Sequence, residues 1–391
     1  MLKNQYSKDY DVVVAGGGIA GIAAALAASR NGAQIALLEK TVFLGGLATT
    51  GMINVYLPLC DGNGTQVTFG ICEELLKLSL KYGPGDIPPD WQQQRNAKEE
   101  QRYRCVFSPA AMMLALDEVL EAAGVDIWLD TLICDAEVDN NDILRSIFIE
   151  NSSGRGKINA NCFIDATGDA LLARRAGGSV EFCENWLCMW SLEYARNKKS
   201  ASQISPEINM LTTGKRDQLF FAPDSRMVSE FVLAGRKLVS NYYSDTYKAG
   251  KEDRFSLYPL HLPAMPQFRK IAAIKGLSQL SDNMHNTFQN DSIGLVADWR
   301  KSGFVWEIPY GTLLPQKIKG LLVAGRCISS VGDAWEVTRV IPAAALTGEA
   351  AGTAAATALS KNIFPEALPI VELQEKLRKN GNPLHLREVG L

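Results

Sequence analysis

The stretch "VVVAGGGIAGIAAALAASRNGAQIALLEK", Val12 to Lys40, constrains the fold more than any other part of this chain. Val12 to Val14 is a β-branched run that reads as a buried strand. Gly16, Gly18 and Gly21 then keep the spacing G-x-G-x-x-G. The first glycine permits a tight turn, the second leaves room for a pyrophosphate, and the third lets the next helix pack close to the strand. Ile19 to Arg30, nearly all Ala, Ile and Leu, reads as that helix, and Gly32 stops it. "QIALLEK" reads as a second strand. Its Glu39 falls 18 residues after Gly21, where an acid hydrogen-bonds ribose hydroxyls and disfavours a 2′-phosphate. Strand, glycine turn, helix, strand and acid together predict a dinucleotide site.

A chain of 391 residues exceeds a single typical core, so two structural regions are expected. With 47% hydrophobic and 21% charged residues and a net charge of -3, the composition is that of an ordinary soluble globular protein. That balance argues against a nucleic-acid partner or an anionic membrane surface. The N-terminus "MLKNQYSKDYD" has no apolar core of a signal peptide, and the apolar stretches are broken by Gly, Pro, Arg or Glu, so no membrane span is expected. The eight cysteines are scattered without a CxxC, which reads as free thiols in a reducing cytoplasm. No spacing suits zinc or an iron–sulfur cluster, so no metal is expected.

The dinucleotide could be NAD or FAD on the first motif alone. Three later stretches bear on the choice. "EKTVFLGGLATTG" places a second glycine pair, Gly45 and Gly46, just after the second strand. "NANCFIDATGDALLARRAG" reads as a strand entering a turn at Gly168, with Ala166 and Thr167 before it. "IKGLLVAGRCISSVGDAWEVTRVIPAAALTGEAAGTAAATAL" reads as a buried strand, Leu321 to Ala324, a turn at Gly325, and a long small-residue helix starting near Pro342. With "IPYGTLLP", these segments make the chain resemble the FAD-dependent oxidoreductase family of the glutathione-reductase-like, two-dinucleotide-binding-domain flavoprotein superfamily. The resemblance spans nearly the whole chain and is thin between about 185 and 300.

The resemblance implies an α/β fold. A Rossmann-like FAD/NAD(P)-binding domain, a three-layer ββα arrangement with a parallel sheet, is expected over 9–60, 105–177 and 305–360. An inserted α+β cap over 61–104 and 178–304 would face the substrate, and 361–391 would form a C-terminal helix and tail. It also implies FAD held by Gly16, Gly18, Ile19, Ala20, Gly21, Glu39 and Lys40, wrapped by Gly45, Gly46, Leu47 and Ala48, and touched by Ala166, Thr167 and Gly168. Backbone around Cys134 would run beside the adenine. Gly325, Arg326, Val340 and Ile341 would lie at the flavin, with the positive end of the last helix facing its pyrimidine ring. A homodimer is implied by the family alone.

Flavin chemistry then predicts hydride transfer at N5 with a small organic substrate. His261, in "SLYPLHLPAMPQFRK" of the cap, is the candidate acid or base. Arg339 is the candidate for a substrate carboxylate, with Arg326 beside it; either could instead tie loops together. His285 and His385 read as surface or structural. Trp306, Glu307 and Tyr310 read as flavin wall or as core. Cys183 and Cys188 have the C-x4-C spacing of a redox pair, but not after the second strand where such a pair belongs. A second G-x-G-x-x-G after a strand is absent, so electrons would come from the substrate, from NAD(P)H entering the cleft, or from a partner protein. The partner-fed route calls for acid-binding cap residues, and Arg254, His261 and Arg269 are there. Two further readings stay open: a non-catalytic FAD-fold binding protein, and an RNA modifier, which the absence of a basic stripe disfavours.

Overall fold

In a computed structural model, residues 6–85, 101–196 and 202–391 are described. The strands that matter here are β1 (Tyr6–Ala15), β2 (Ile35–Leu38), β3 (Asp126–Trp128), β4 (Leu132–Val138), β5 (Leu144–Asn151), β6 (Gly154–Asp165), β7 (Glu184–Ala195), β8 (Ile208–Phe221), β9 (Leu257–His261) and β10 (Leu321–Val323). The helices that matter here are α1 (Ile19–Arg30), α2 (Ile71–Ser79), α3 (Pro109–Ala122), α4 (Ser225–Lys248) and α5 (Ile341–Ser360). The main sheet runs β3-β2-β1-β6-β5-β4, and β10 also pairs with β6. Its β3-β2-β1-β6-β10 part is parallel, while β6, β5 and β4 form an antiparallel meander.

Alternation along β1 separates two cores. Val12 and Val14 face the helices α1, α3 and α5. Val13 and Ala15 face the opposite side, where Ile133, Ile147 and Ile149 of β4 and β5 cover them. The result is the expected Rossmann-like layering of helices, parallel sheet and β-meander. Ser108 caps α3 by accepting from the Ala111 N–H, and Pro109 occupies its first turn. No described helix is long and apolar enough to cross a membrane. The eight cysteines are free thiols.

Helices α1 and α5 lie in direct backbone contact. A Cβ on Gly348 would sit 2.2 Å from the Ala20 carbonyl oxygen, and one on Gly352 would sit 2.1 Å from that of Ala24. The matched order of these contacts means the two helices run parallel. Both therefore begin at the same edge of the sheet. Alanine dominates both helices because a larger side chain would hold the axes apart.

The cap is a three-stranded antiparallel sheet, β8-β7-β9, with α4 across one face. Leu187 of β7 meets Phe231, Met189 lies against Gly235, and Glu193 accepts from the Tyr243 hydroxyl on that helix. The described part of the first insertion does not join this sheet. The apolar face of α2, Ile71, Cys72, Leu75 and Leu76, is buried in the core shared with α1, α3 and α5. The sequence "YGPGDIPPDWQQQRNAKEEQRYR", Tyr82 to Arg104, reads as a loop; its residues 86–100 lie outside the described residues.

One buried carboxyl ties α2 to α5. Glu349 accepts from the Ile71 N–H at 2.9 Å and from the Asn382 side-chain amide at 2.8 Å. Burial pushes its pKa up from 4.5 to about 7. The folded state thus holds this proton more tightly than the unfolded chain. Its stabilising contribution is complete below about pH 4.5 and is lost as the pH rises through about 7. In Glu349→Gln, denaturant melts across that window are expected to lose a slope of up to about 1.4 kcal/mol per pH unit; an unchanged slope would assign it elsewhere. Separately, Gly352→Val is expected to cost about 3 kcal/mol of unfolding free energy, because the Ala24 carbonyl has no room to yield.

Candidate cofactor cleft

The parallel helices and the glycine turns open into one cleft at the carboxyl ends of the parallel strands. Gly16, Gly18, Ile19, Ala20, Glu39 and Lys40 line it from the first motif. Gly45, Gly46, Leu47 and Ala48 line it from the second, and Ala166, Thr167 and Gly168 from the third. Gly325, Arg326, Arg339 and Ile341 complete the wall from the C-terminal segment. The turns bear on one another: the Gly45 N–H donates to the Gly17 carbonyl at 2.8 Å, and Gly18 bridges Gly45 in parallel register.

Four of the expected residues stand elsewhere. Gly21 is behind the cleft, where a Cβ would fall 1.8 Å from the Gly16 carbonyl oxygen. Val340 is the buried N-cap of α5. Cys134 is half-buried on β4, its thiol directed at the Leu132 carbonyl. It follows a loop fastened to Glu39, whose carbonyl accepts from the Thr131 N–H at 3.0 Å. His261 ends β9, exposed, and is not among the cleft-lining residues. The register that pairs it with Leu192 sets it on the cap-sheet face opposite α4.

The donor set suits an adenine dinucleotide. No side chain caps the first turn of α1, and a Cβ on Gly18 would meet nothing within 4 Å. The free N–H groups of that turn therefore point into open space with the helix dipole behind them, an arrangement that takes a phosphate. α5 also opens at the cleft without a side-chain cap. Glu39 is buried; its carboxylate accepts from the Gly17 N–H at 2.8 Å and from the Thr41 N–H and hydroxyl at 2.9 Å. With three of its roughly four lone-pair sites taken, it keeps one for a ribose hydroxyl.

The two arginines differ. Arg326 is buried; its guanidinium donates to the carbonyls of Gly168 and Phe268, so it fastens the third turn to the cap. Burial pushes its pKa down. Its carbonyl in turn accepts from the Trp335 indole at 2.7 Å. Arg339 faces the cleft and pairs with Glu336 at 2.6 Å. Beneath the third turn, Asp165 accepts from the N–H and hydroxyl of Thr167 and from the Ala173 N–H, and burial raises its carboxyl pKa.

The cap supplies residues that the first reading missed: Ala222, Val228, Met265, Pro266, Phe268 and Ile271. They lie where the family resemblance is thin, and nothing in their local pattern marks them. Gln267 anchors this wall, donating to the Gly51 carbonyl at 2.5 Å and exchanging hydrogen bonds with the backbone of Trp190. Trp306, Glu307 and Tyr310 are core instead. Trp306 donates to the Ser281 carbonyl, Tyr310 to that of Pro365, and Glu307 pairs with buried His385 at 2.9 Å. His285 packs against Phe304 with its ring tilted. Arg326→Leu would strand two buried carbonyls, so it is expected to lower the unfolding free energy by about 3 kcal/mol in denaturant melts; a loss below about 0.5 kcal/mol would deny the fastening role.

Comparison with known proteins agrees with this geometry. A family model described as FAD dependent oxidoreductase matches residues 11–204 and 278–377. A thioredoxin reductase of Ureaplasma parvum serovar 3 is 34% identical over 71 residues, 18% of this chain and 23% of that protein. The chain thus spans less than a quarter of the length of the curated relative it matches. Among solved structures, a geranylgeranyl bacteriochlorophyll reductase-like protein from Thermoplasma acidophilum aligns with a TM-score of 0.53 at 16% identity, over 98% of this chain and 86% of that one. A p-nitrophenol 4-monooxygenase from Pseudomonas putida aligns with a TM-score of 0.54 at 11% identity, over 95% of this chain and 85% of that one. At these identities the likeness is one of fold. The family match covers all four motif segments that line the cleft, though not the cap wall, and most of the chain: this protein belongs to the FAD-dependent oxidoreductase family, and FAD is its cofactor.

Proposed function

We propose that the protein oxidises or reduces a small organic substrate by hydride transfer, with the cofactor along the glycine turns and the substrate against the cap wall. The observation behind this reading is the continuity of the cleft. One cavity runs from the Gly16–Gly18 turn and the start of α1 to Met265, Pro266, Phe268 and Ile271 of the cap. FAD bound there supplies a two-electron donor or acceptor at its N5 position.

The chain's own residues do the rest. Backbone at Gly16, Gly18, Ile19 and Ala20 binds pyrophosphate, and Glu39 binds ribose, with Lys40, Gly45, Gly46, Leu47 and Ala48 enclosing them. Ala166, Thr167, Gly168, Gly325, Arg326 and Ile341 form the opposite wall. Gly21 and Val340 act by setting the positions of α1 and α5, and the strand of Cys134 continues the loop that Glu39 holds. Met265, Pro266 and Phe268 exclude water from the reacting face, which strengthens the pull of nearby charges on the substrate. Arg339, which lines the cleft, rather than His261, which does not, is the side chain we take forward for the substrate. NAD(P)H or a partner protein is the second source of electrons.

Gly18 separates binding from folding. Its backbone φ is −74° and its Cβ space is empty, so Gly18→Val is expected to fold with an unfolding free energy within about 0.5 kcal/mol of the wild-type apoprotein. Combined with Glu39→Ala, which removes charge-assisted hydrogen bonds, it is expected to weaken FAD binding about thirtyfold or more. Flavin absorbance of the purified protein, before and after denaturation, reads the content. Normal flavin in the double variant overturns the placement. A wild-type holoprotein whose flavin no organic donor or acceptor, NAD(P)H included, can reduce or reoxidise overturns hydride transfer.

A further inference from the structure

One carboxylate where the cap meets the cleft holds two cations from different elements. Glu336 lies in the short helix Gly332–Thr338, and Arg339 follows that helix and lines the cleft. Oε2 of Glu336 accepts from Arg339 Nε at 2.7 Å and lies 2.6 Å from its Nη2. Oε1 lies 2.8 Å from Nζ of Lys270, the cap residue next to cleft-lining Ile271. Each oxygen thus serves one cation. Arg339 has no other partner among the described residues, so the N–H groups of Nη1 stay free.

The backbone beneath this trio is fixed. Asp282 accepts from the Ala334 N–H at 2.9 Å, and the Trp335 indole donates to the Arg326 carbonyl at 2.7 Å; both pin the helix that carries Glu336. On the cap, the Asn185 side chain accepts from the Lys270 N–H at 3.0 Å and donates to the Lys270 carbonyl. Burial pulls the Glu336 pKa up, but Arg339 and Lys270 outweigh it and hold it below the ordinary value. A side-on pair through Nε and Nη2 sets the plane of the guanidinium. An arginine already held in one plane loses less freedom when it takes an anion. With Lys270 on Oε1, the carboxylate does not turn that oxygen to the free edge of Arg339. Of the other cap cations, Arg254 lies over Phe255 and Arg269 over Trp186, and neither lines the cleft.

We propose that Glu336 is a positioning residue: it holds the Arg339 guanidinium with its Nη1 edge free for negative charge at the reacting face, and Lys270 of the cap keeps the carboxylate in that role. This assignment rests on Arg339 serving the substrate side of the FAD cleft. Glu336 then strengthens the capture of an anion although its own charge opposes it, a sign that electrostatics alone does not give.

Sulfite is the probe. It arrives as an anion on the face where a hydride would pass, its sulfur lone pair bonds to flavin N5, and the visible flavin band is lost. The oxidised holoprotein is expected to bind it at millimolar concentration or below, and Arg339→Gln to weaken it about tenfold or more. Glu336→Ala is expected to weaken it about fivefold or more, whereas loss of the charge alone would tighten it. Glu336→Gln, whose carbonyl oxygen can take the same two N–H groups, is expected to bind no worse than about twofold below wild type. In an Arg339→Gln background, Glu336→Ala weakens sulfite no further. Lys270→Met weakens it about threefold. Glu336→Ala that binds sulfite as well as wild type or better overturns the positioning role and leaves the substrate-side reading of Arg339 standing. Weakening that persists in the Arg339→Gln background does the same. Sulfite that fails to bind wild type, or that ignores Arg339→Gln, refutes that reading, and the positioning role falls with it. Should Glu336→Ala lose its flavin, Lys270→Met decides: wild-type affinity overturns the proposal, and weaker binding upholds it.

Discussion

The structure depends on the backbone contact between α1 and α5. Two helices can approach this closely only where one presents glycine, and Gly348 and Gly352 do so one turn apart against the carbonyls of Ala20 and Ala24. Because the contact is parallel, two helix starts converge on the edge where the parallel strands end. Everything at the cleft is then arranged around that pair. Gly325 turns beside Ala20, and Thr347 of α5 accepts from its N–H at 2.9 Å. Gly21 brings α1 down onto the Gly16 turn. Without close helices the three glycine turns would face separate surfaces rather than a shared cavity.

The cofactor half of this arrangement was legible because its constraints are local. Glycines at fixed offsets, a strand before them and an acid after them all occur within about thirty residues, and steric exclusion leaves few alternatives for such a run. The same holds for Gly45 and Gly46, for Ala166 to Gly168, and for the Pro342 helix start. The cap half was not legible. Met265, Pro266 and Phe268 reach the cleft because Gln267 is tied to Gly51, more than two hundred residues away in the chain, and no short pattern announces such a tie. His261 looked favourable for its aromatic and proline neighbours, yet strand register sets it on the cap-sheet face opposite α4, and it is not among the cleft-lining residues. The reading of an arginine tying loops together describes Arg326, because its charge is buried where two carbonyls can satisfy it.

The same contrast explains the C-terminal region. "FVWEIPYGTLLP" offered aromatics that could wall a flavin or fill a core. Packing decides for the core: Trp306 is nearly inaccessible, and Glu307 is hydrogen-bonded to His385 from the tail. A tail histidine becomes structural because it meets a buried acid that sequence distance hides. The cap is likewise joined to the cofactor turn through few polar links, Gln267 to Gly51 and the Ala264 N–H to the Thr50 carbonyl. With Arg326 holding the Phe268 carbonyl, chemistry on the cap side is therefore mechanically connected to both the second and the third glycine turns.

The side-by-side start of α1 and α5 has a thermodynamic consequence. Two parallel macrodipoles place like partial charge at neighbouring ends, so the fold holds an electrostatic cost concentrated at the cleft. A dianionic pyrophosphate relieves that cost when it arrives, and the relief appears both as affinity and as resistance to unfolding, because the two are linked quantities. Flavin supply then acts on how much of this protein survives proteolysis as well as on how fast it turns over. The glycine contact that assembles the cleft thereby makes the cofactor part of the folding equilibrium.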